Sequence, residues 1–257
     1  MFHYFQRISS NLVLILYARI HLVSKADTSE LAQIHKAVKE LQAREEKVDC
    51  LVCNAGALLN ERKLSSEGNE IVATSHLVGG SYLLSTMLLP QLKAAGTEAR
   101  VIFVTSGGLY NTKFPTWSKF MNTDEKKKFD GNFAYSYAKR GQVLLAERYT
   151  KEYPHITWVN AHPGWVNTNI VNEAFGDSKK YLEPMRTSWE GAEGMTWMMG
   201  VPSKHLESGA LYLDRKPQTK HLAGPFMTKG SFTKNTEKDV DDMMQNLKEM
   251  CKPFLSS

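Results

Sequence analysis

Short runs of apolar residues alternate along this chain with longer segments in which apolar residues recur every three or four positions. The runs predict buried strands, and the longer spacing predicts amphipathic helices. The strands are predicted at residues 20–23, 48–53, 101–105, 157–161 and 211–214, and the helices at 31–41, 71–92 and 135–151. Strands and helices that alternate in this way are typical of βαβ units, so we expect an α/β fold with a parallel sheet.

Two helices have recognisable start signals. Asp27-Thr-Ser-Glu30 is a capping pattern before the helix at 31–41. Thr236-x-x-Asp239 predicts the start of another helix near the C-terminus. The apolar stripe of that last helix favours packing on the core over binding to a membrane or a partner. The stripe consists of Val240, Met243, Met244, Leu247, Met250 and Cys251.

The chain has 257 residues, with no internal repeat and no linker rich in Pro, Gly or Ser between residues 20 and 215. We therefore expect one domain over residues 1–257, with an atypical N-terminus at 1–19 and a variable tail with a helix at 223–257. The net charge of +5 is scattered along the chain. Acidic residues flank the basic run at 126–128, so a nucleic-acid partner is not implied.

The cysteines and the N-terminal apolar segment bear on the compartment. Three cysteines are too few for a disulfide framework in a chain of this length. Cys50 and Cys53 lie three apart in a predicted strand and therefore point to opposite faces, which argues against a redox pair or a metal site. The apolar segment at 11–17 is too short to cross a bilayer. A signal peptide is the alternative, but a buried strand and a cytoplasmic protein are favoured.

The candidate chemistry centres on Tyr135-Ser-Tyr-Ala-Lys139. A tyrosine and a lysine four residues apart share one face of a helix, so the ammonium can stabilise the phenolate and lower the pKa of the phenol. Such a phenol can act as a general acid or base near neutral pH. Tyr212 and Lys216 form a second pair with this spacing, and Tyr137 is an alternative for the tyrosine that points inward.

Three further motifs accompany Tyr135: a strand that ends on Thr105-Ser106-Gly107-Gly108, the turn Asn54-Ala-Gly56 after another strand, and the segment His162-Pro-Gly-Trp165. In this order they resemble the short-chain dehydrogenase/reductase superfamily over about residues 20–222. The resemblance implies a Rossmann-like, doubly wound parallel sheet. It also implies an oxidoreductase that uses NAD or NADP to interconvert a small carbonyl compound and an alcohol, and it is compatible with a homodimer.

The resemblance also implies roles for single residues. Tyr135 matches the acid or base, Lys139 the residue that lowers its pKa and binds the nicotinamide ribose, and Ser106 the donor to the substrate carbonyl. Ser106 as a strand cap and Lys139 as a surface lysine are the alternatives. Further cofactor contacts match Asp27 near the adenine, Asn54, Ala55 and Gly56 along the adenosine, and Pro163, Gly164 and Thr168 near the nicotinamide.

The chain departs from the family pattern in two places. Thr74-Ser75-His76 occupies the region where the family has an asparagine, and His76 is either a proton relay or a structural histidine. Only nineteen residues precede residue 20 and they contain no glycine, so we expect the first strand, its glycine-rich loop and the following helix to be lacking. Residues 12–17 or 20–23 would then fill the slot of the first strand beside 48–53. A non-catalytic relative or an incomplete gene model is the alternative.

The segment at 111–131 is long for a connection and contains Phe114, Trp117, Phe120 and Met121. Long loops of this kind are usually functional or disordered, so we expect this one, together with Trp165, to wall an apolar substrate pocket. The substrate itself and the choice between NAD and NADP are left open.

Overall fold

The computed structural model describes residues 11–12, 25–123, 128–169, 171–172, 176–223 and 232–255. The five strands of its main sheet are β3 Cys50–Cys53, β4 Arg100–Val104, β5 Thr157–Ala161, β6 Leu211–Leu213 and β7 Lys216–Gln218. They lie side by side in the order β3-β4-β5-β6-β7. Neighbouring strands are parallel from β3 to β6, and β7 is antiparallel to β6. The predicted parallel sheet is therefore confirmed.

Helices cover both faces of this sheet. The main ones are α1 Leu31–Gln42, α6 Gly131–Glu152, α7 Ser188–Gly200 and α8 Glu237–Leu255. One apolar core lies under α1, α6 and α8, and a second one, around Ile102, Val159 and Met198, lies under α7. Layers on both faces are the doubly wound arrangement that the resemblance implied.

The helix α1 buries the predicted apolar stripe, but its start differs from the prediction. The buried residues are Leu31, Ile34, Val38 and Leu41. The N-cap residue Glu30 makes no side-chain cap. The carboxylate of Glu67 instead accepts hydrogen bonds from the first two N–H groups, at 2.9 and 2.8 Å. The local sequence correctly indicated where the helix begins, but its free N–H groups are satisfied by Glu67, a residue 36 positions away.

The predicted helix at 71–92 is helical but not continuous. It consists of α2 Ile71–Ala73, a π-helical segment Thr74–Leu83, α3 Leu84–Met87 and α4 Leu89–Ala94. In the π-helical segment the backbone hydrogen bonds run from residue i+5 to residue i, a geometry that is rare and frequent at functional sites. Apolar periodicity does not reveal this change.

The C-terminal helix α8 confirms the predicted cap and the predicted packing. The Thr236 N–H donates to the Asp239 carboxylate at 2.8 Å, and the Asp239 N–H donates to the Thr236 hydroxyl at 3.2 Å. Met243, Leu247 and Cys251 are buried in the core. Val240, Met244 and Met250 are half-buried against the same core, so the stripe packs on the core as predicted.

Of the N-terminal strand predictions, only part can be placed. Residues 13–24 lie outside the described residues, and with them the predicted strand at 20–23. The strand β1, Asn11–Leu12, pairs with β2, Ala26–Asp27, in a separate antiparallel ladder. Leu12 therefore does not pair with β3, and the rest of the segment proposed for that slot, residues 13–17, lies outside the described residues.

The expected pocket wall at 111–131 is wrong for its aromatic residues. Phe114 and Phe120 are buried in the main core with ring centroids 4.8 Å apart, and Met121 joins them. Trp117, in the short helix α5 Trp117–Phe120, packs against the same cluster. Residues 124–127 lie outside the described residues. The apolar residues of this connection stabilise the fold because they pack into the core beneath α6 and α8.

The predicted orientation of Cys50 and Cys53 toward opposite faces of the sheet is confirmed. Along β3 exposure alternates, so Cys50 packs against the core under α7 and Cys53 belongs to the core under α6. Both thiols are free.

Candidate active site

Apart from Asp27, the predicted site residues lie where β3, β4 and β5 end and α6 passes over the sheet. Ser106 follows β4, Gly56 follows β3, and Gly164 follows β5. Tyr135 and Lys139 lie one helical turn apart near the start of α6. Carboxyl ends of parallel strands meet at one edge of a sheet, which is where open α/β sheets bind ligands.

The Ser106 hydroxyl lies close enough to the phenol of Tyr135 to lower its pKa. Ser106 has extended backbone angles and caps a short 3₁₀ helix, Gly107–Tyr110, by accepting a hydrogen bond from the Gly108 N–H at 3.1 Å. The cap fixes the hydroxyl toward α6. Capping and substrate contact are therefore compatible roles of this serine.

Tyr137 does not take the place of Tyr135. Its ring is 5% exposed, belongs to the main core, and has the ammonium of Lys119 5.3 Å from its centroid. The ring of Tyr135 is partly buried at the edge of the site.

Lys139 is 3% exposed, so it is not a surface lysine. Its ammonium donates a hydrogen bond to the carbonyl of Val104 at 2.6 Å and lies 5.3 Å from the centroid of the Tyr135 ring. The Thr105 hydroxyl donates to the Lys139 carbonyl at 3.0 Å, which fastens the helix to the end of β4.

The electrostatics of this pair differ from the sequence-based expectation. Burial raises the pKa of Tyr135, and the hydrogen bond from Ser106 opposes this rise. Burial also lowers the pKa of Lys139 to about 7, with a weak opposing effect of Cys53. Each group is desolvated, so each favours its neutral form. The lowered tyrosine pKa that the helix spacing predicted is therefore not seen in the described residues.

His76 occupies the region of the family asparagine and contacts Tyr135. Its ring meets the Tyr135 ring edge to face, with centroids 5.2 Å apart, and its Nε2 lies 2.9 Å from the carbonyl oxygen of Ala57. Burial, together with the positive charge of Lys139, holds the pKa of His76 well below its usual range. This histidine is neutral at physiological pH.

The turn Asn54-Ala55-Gly56 lies against His76. A Cβ atom at Gly56 would overlap the imidazole, so only glycine fits there. Asn54 is exposed and Ala55 is half-buried. Asp27, the expected adenine contact, lies at the end of β2, where one of its carboxylate oxygens accepts hydrogen bonds from the Ser29 N–H at 2.9 Å and the Ser29 hydroxyl at 2.8 Å.

The segment after β5 forms the other wall. Gly164 has φ 77°, and a Cβ atom there would contact the side chain of Arg186. Pro163 and Thr168 are half-buried, and the Thr168 hydroxyl accepts a hydrogen bond from the Val171 N–H at 3.4 Å. Only a glycine allows Arg186 to approach this loop so closely.

Two residues at this wall have structural contacts that the sequence motifs did not indicate. Arg186 forms a bidentate pair with Asp214, at 2.5 and 2.7 Å, which ties the loop to the β6–β7 turn. His162 accepts a hydrogen bond from the Gly164 N–H at 2.8 Å, and burial lowers its pKa. The sequence Asp214-Arg-Lys-Pro217 could have suggested a turn. It could not have indicated that Asp214 pairs with Arg186, which lies on a distant segment.

The described residues fit a nicotinamide dinucleotide at one end more clearly than at the other. The donor set of Ser106, Tyr135 and Lys139 suits the nicotinamide riboside, whereas the space beside Gly164 is filled by the Arg186 side chain. No glycine precedes Gly56 in the sequence, so a glycine-rich pyrophosphate turn has no counterpart at 1–55. No group of three His, Cys, Asp or Glu side chains suited to a metal ion occurs in the described part of the chain. Among the same residues, no helix is both long and apolar enough to span a bilayer.

Known proteins share this architecture and this sequence pattern. The family model for short chain dehydrogenase matches residues 16–119. Human dehydrogenase/reductase SDR family member 12 is 33% identical over 228 residues, which cover 88% of this chain and 68% of the human protein. Bovine retinol dehydrogenase 12 is 29% identical over 178 residues, 67% of this chain and 54% of that protein.

Solved structures with low sequence identity share the fold. The 3-alpha-hydroxysteroid dehydrogenase from Pseudomonas sp. B-0831, complexed with NADH, has a TM-score of 0.59 at 20% identity, over 72% of this chain and 79% of that one. The NADPH-bound carbonyl reductase from chicken fatty liver has a TM-score of 0.52 at 21% identity, over 74% of this chain and 73% of that one. With the human relative above, the comparisons show that this chain belongs to the short-chain dehydrogenase/reductase family of NAD(P)-dependent oxidoreductases.

Proposed function

We propose that this protein interconverts a small carbonyl compound and an alcohol, with Tyr135 as the acid or base. The observation that carries the proposal is the convergence of Ser106, Tyr135 and Lys139 at the end of β4. Two hydroxyl groups and one ammonium within one site match the needs of a carbonyl oxygen that becomes an alkoxide.

In the reducing direction the carbonyl carbon gains a hydride from the dinucleotide when it is bound. The residues of the chain supply what the oxygen needs. The Ser106 hydroxyl donates a hydrogen bond to that oxygen, and the Tyr135 hydroxyl donates the proton that completes the alcohol. Lys139, when charged, stabilises the phenolate left on Tyr135 until solvent returns its proton. In the oxidising direction the same groups run in reverse, with Tyr135 as the base.

The cofactor contacts belong to the same proposal. Lys139, Tyr135, Pro163, Gly164 and Thr168 would hold the nicotinamide riboside. The adenosine half would lie along Asp27 and the turn formed by Asn54, Ala55 and Gly56. The position of Gly56 supports this only in part, because the ring of His76 fills the space beside it.

The proposal is tested by oxidation of NADPH and NADH, followed at 340 nm, with a panel of carbonyl compounds. All-trans-retinal belongs in the panel because one relative is named a retinol dehydrogenase. We expect turnover with at least one of these compounds. The absence of turnover with either dinucleotide over the whole panel would favour a non-catalytic relative instead.

A further inference from the structure

The reaction scheme above gives no role to the buried residue that follows Lys139 on α6. Arg140 is fully buried, and its guanidinium donates a hydrogen bond to the carbonyl of Lys220 at 2.7 Å and another to the Nδ1 atom of His221. A guanidinium is a rigid fork of donors, so two bonds to neighbouring residues fix both the position and the orientation of the segment that accepts them. We call this segment, residues 219–221 directly after β7, the clamp segment.

The clamp segment also holds the turn that carries Ser106. The Tyr110 hydroxyl donates a hydrogen bond to the carbonyl of Thr219 at 2.6 Å. Tyr110 is the last residue of the 3₁₀ helix that Ser106 caps. The clamp segment therefore joins the end of this turn to α6 at the position next to Lys139.

Both ends of the turn are tied to α6, one directly and one through the clamp segment. At the start, the Thr105 hydroxyl donates to the Lys139 carbonyl at 3.0 Å. Between the two ends, Leu109 and Val143 of α6 belong to one apolar cluster. Apolar packing is non-directional, so the hydrogen bonds at Thr105 and Tyr110 set how the turn is rotated against the helix.

The clamp segment is itself fixed to α6 at two places. Because the guanidinium of Arg140 can only donate, Nδ1 of His221 accepts and the proton of the neutral ring lies on Nε2. Nε2 faces the Glu147 carboxylate at 2.9 Å, and the same carboxylate oxygen lies 2.8 Å from the Lys220 ammonium. The Lys220 ammonium also donates to the Gly209 carbonyl at 2.7 Å. Two residues of α6, about two turns apart, thus hold the clamp segment.

We propose that Tyr110 and Arg140 are positioning residues of this site. Through the clamp segment they hold the Ser106 hydroxyl against the phenol of Tyr135. The serine and the tyrosine come from different elements, the end of β4 and the start of α6, so their separation depends on the ties between those elements. A displacement of about 1 Å at a reacting group can lower a rate about 100-fold. The meaning of this role for catalysis rests on the proposed function, but one of its tests needs no turnover.

Tyr110→Phe tests the tie at the end of the turn. It keeps the half-buried ring and removes the hydroxyl, so we expect kcat to fall about tenfold while KM for the carbonyl compound changes less than about twofold. Tyr149→Phe is the matched control, because the Tyr149 hydroxyl also makes one hydrogen bond of 2.6 Å, with Thr86, but lies near the far end of α6. It should cost similar stability and leave kcat unchanged. An equal fall of kcat in both variants would overturn the proposal.

His221 allows a rescue experiment. His221→Leu removes the acceptor for Arg140, and His221→Asn returns one, because the asparagine side-chain oxygen can take the place of Nδ1. Both variants lose the contact with Glu147, so the difference between them isolates the acceptor. We expect kcat to fall in His221→Leu and to recover most of the loss in His221→Asn. Equal kcat values in the two variants would contradict the role of Arg140.

Hydrogen exchange of the Gly108 N–H tests the position of the serine without turnover. This N–H donates to the Ser106 hydroxyl oxygen at 3.1 Å. In Tyr110→Phe we expect it to exchange about tenfold faster than in the parent, and in Tyr149→Phe at the parental rate. Unchanged exchange in Tyr110→Phe, or faster exchange with parental kcat, would overturn the proposal. A parent without turnover would contradict the proposed function, and the exchange rates would then decide the tie between the clamp segment and the Ser106 turn.

Discussion

At the scale of single residues, the clearest prediction concerns the Tyr135 hydroxyl. Tyr135→Phe keeps the ring that contacts His76 and lies beneath Lys139, but it removes the proton donor. General acid catalysis contributes typically 10²- to 10⁴-fold, so we expect turnover to fall by about that factor while the thermal midpoint changes little. Steady-state rates and thermal unfolding of both proteins measure the two effects.

Tyr137→Phe is the control for this substitution. Its ring is buried two positions away on the same helix and packs in the core. The assignment would be contradicted by a Tyr137→Phe protein without activity beside a Tyr135→Phe protein with nearly parental activity.

We expect Lys139 to lower the free energy of unfolding of the protein, although the proposed function needs this residue. Its pKa in the folded protein is about 7, against 10.5 for an ordinary lysine, so the folded state binds the proton less well than the unfolded state. The resulting destabilisation is complete below pH 7, declines as the pH rises from 7 to about 10.5, and vanishes above that. We expect Lys139→Met to raise the free energy of unfolding at pH 6 by roughly 2 kcal/mol, after loss of the Val104 hydrogen bond, and by less at pH 9.

Urea unfolding of the parent and of Lys139→Met at both pH values checks this prediction. Lys119→Met offers a matched comparison, because its ammonium also lies over a tyrosine ring. A Lys139→Met protein that is less stable than its parent at pH 6 would show that the lysine stabilises the fold.

Residue patterns could place Ser106, Tyr135 and Lys139 together because each stands next to a strand end or one turn along a helix. They could not give the direction of the Tyr135 pKa, which depends on how deeply both groups are buried. The role of His76 was left between a relay and a structural histidine, because the Ala57 contact and the unpaired Nδ1 exist only after folding. The spacing of residues along the chain carries no information about desolvation or about long-range contacts.

At the scale of elements, the periodicity of apolar residues predicted the regular strands and helices well, but it did not predict elements with unusual backbone geometry. The strand at 157–161 and the stripe of α1 follow from apolar spacing and are confirmed. The turn between β6 and β7 was missed, although Asp214 and Arg215 both have positive φ, as a two-residue hairpin requires. Aspartate tolerates positive φ, but arginine at the second position does not indicate it, and β7 is too short for an alternating pattern.

A cluster of charges ties the chain after β7 to α6, and it should make stability depend on pH. Burial alone raises the pKa of Glu147, but His221 and Lys220, at 2.9 and 2.8 Å, outweigh burial and lower it to about 2. The lowered pKa contributes stability that is present above about pH 4.5 and is lost as the pH falls toward 2. We expect this contribution to be on the order of 3 kcal/mol.

Glu147→Gln should remove this dependence. The variant should be less stable than the parent at pH 6, and the difference should shrink at pH 3, where the parent has lost part of the same interaction. Glu249→Gln, on the exposed side of α8, is the control. A difference that stays constant from pH 6 to pH 3 would contradict the prediction.

At the scale of the whole molecule, the sheet order explains how the site forms. Parallel strands β3, β4 and β5 bring the three motifs to one edge, and α6 crosses above them with Tyr135 and Lys139. This much follows from βαβ connections alone, which are right-handed and place successive strand ends together. The pairing of β1 with β2 in a separate ladder does not follow from these connections, because a two-residue strand is too short to show a pattern of apolar residues.

The distribution of site residues over the molecule leads to a prediction about cofactor binding. The nicotinamide end has its donors in place, whereas no glycine precedes Gly56 to form a pyrophosphate turn. We therefore expect this chain to bind NADH, NADPH and reduced nicotinamide mononucleotide with similar and weak affinities, with Kd values of about 100 μM or more. Isothermal titration of the three ligands measures this, and Lys139→Met should weaken all of them equally, since each carries the same riboside. A low-micromolar Kd for either dinucleotide, or binding at least tenfold tighter than that of the mononucleotide, would mean that other residues hold the adenosine half.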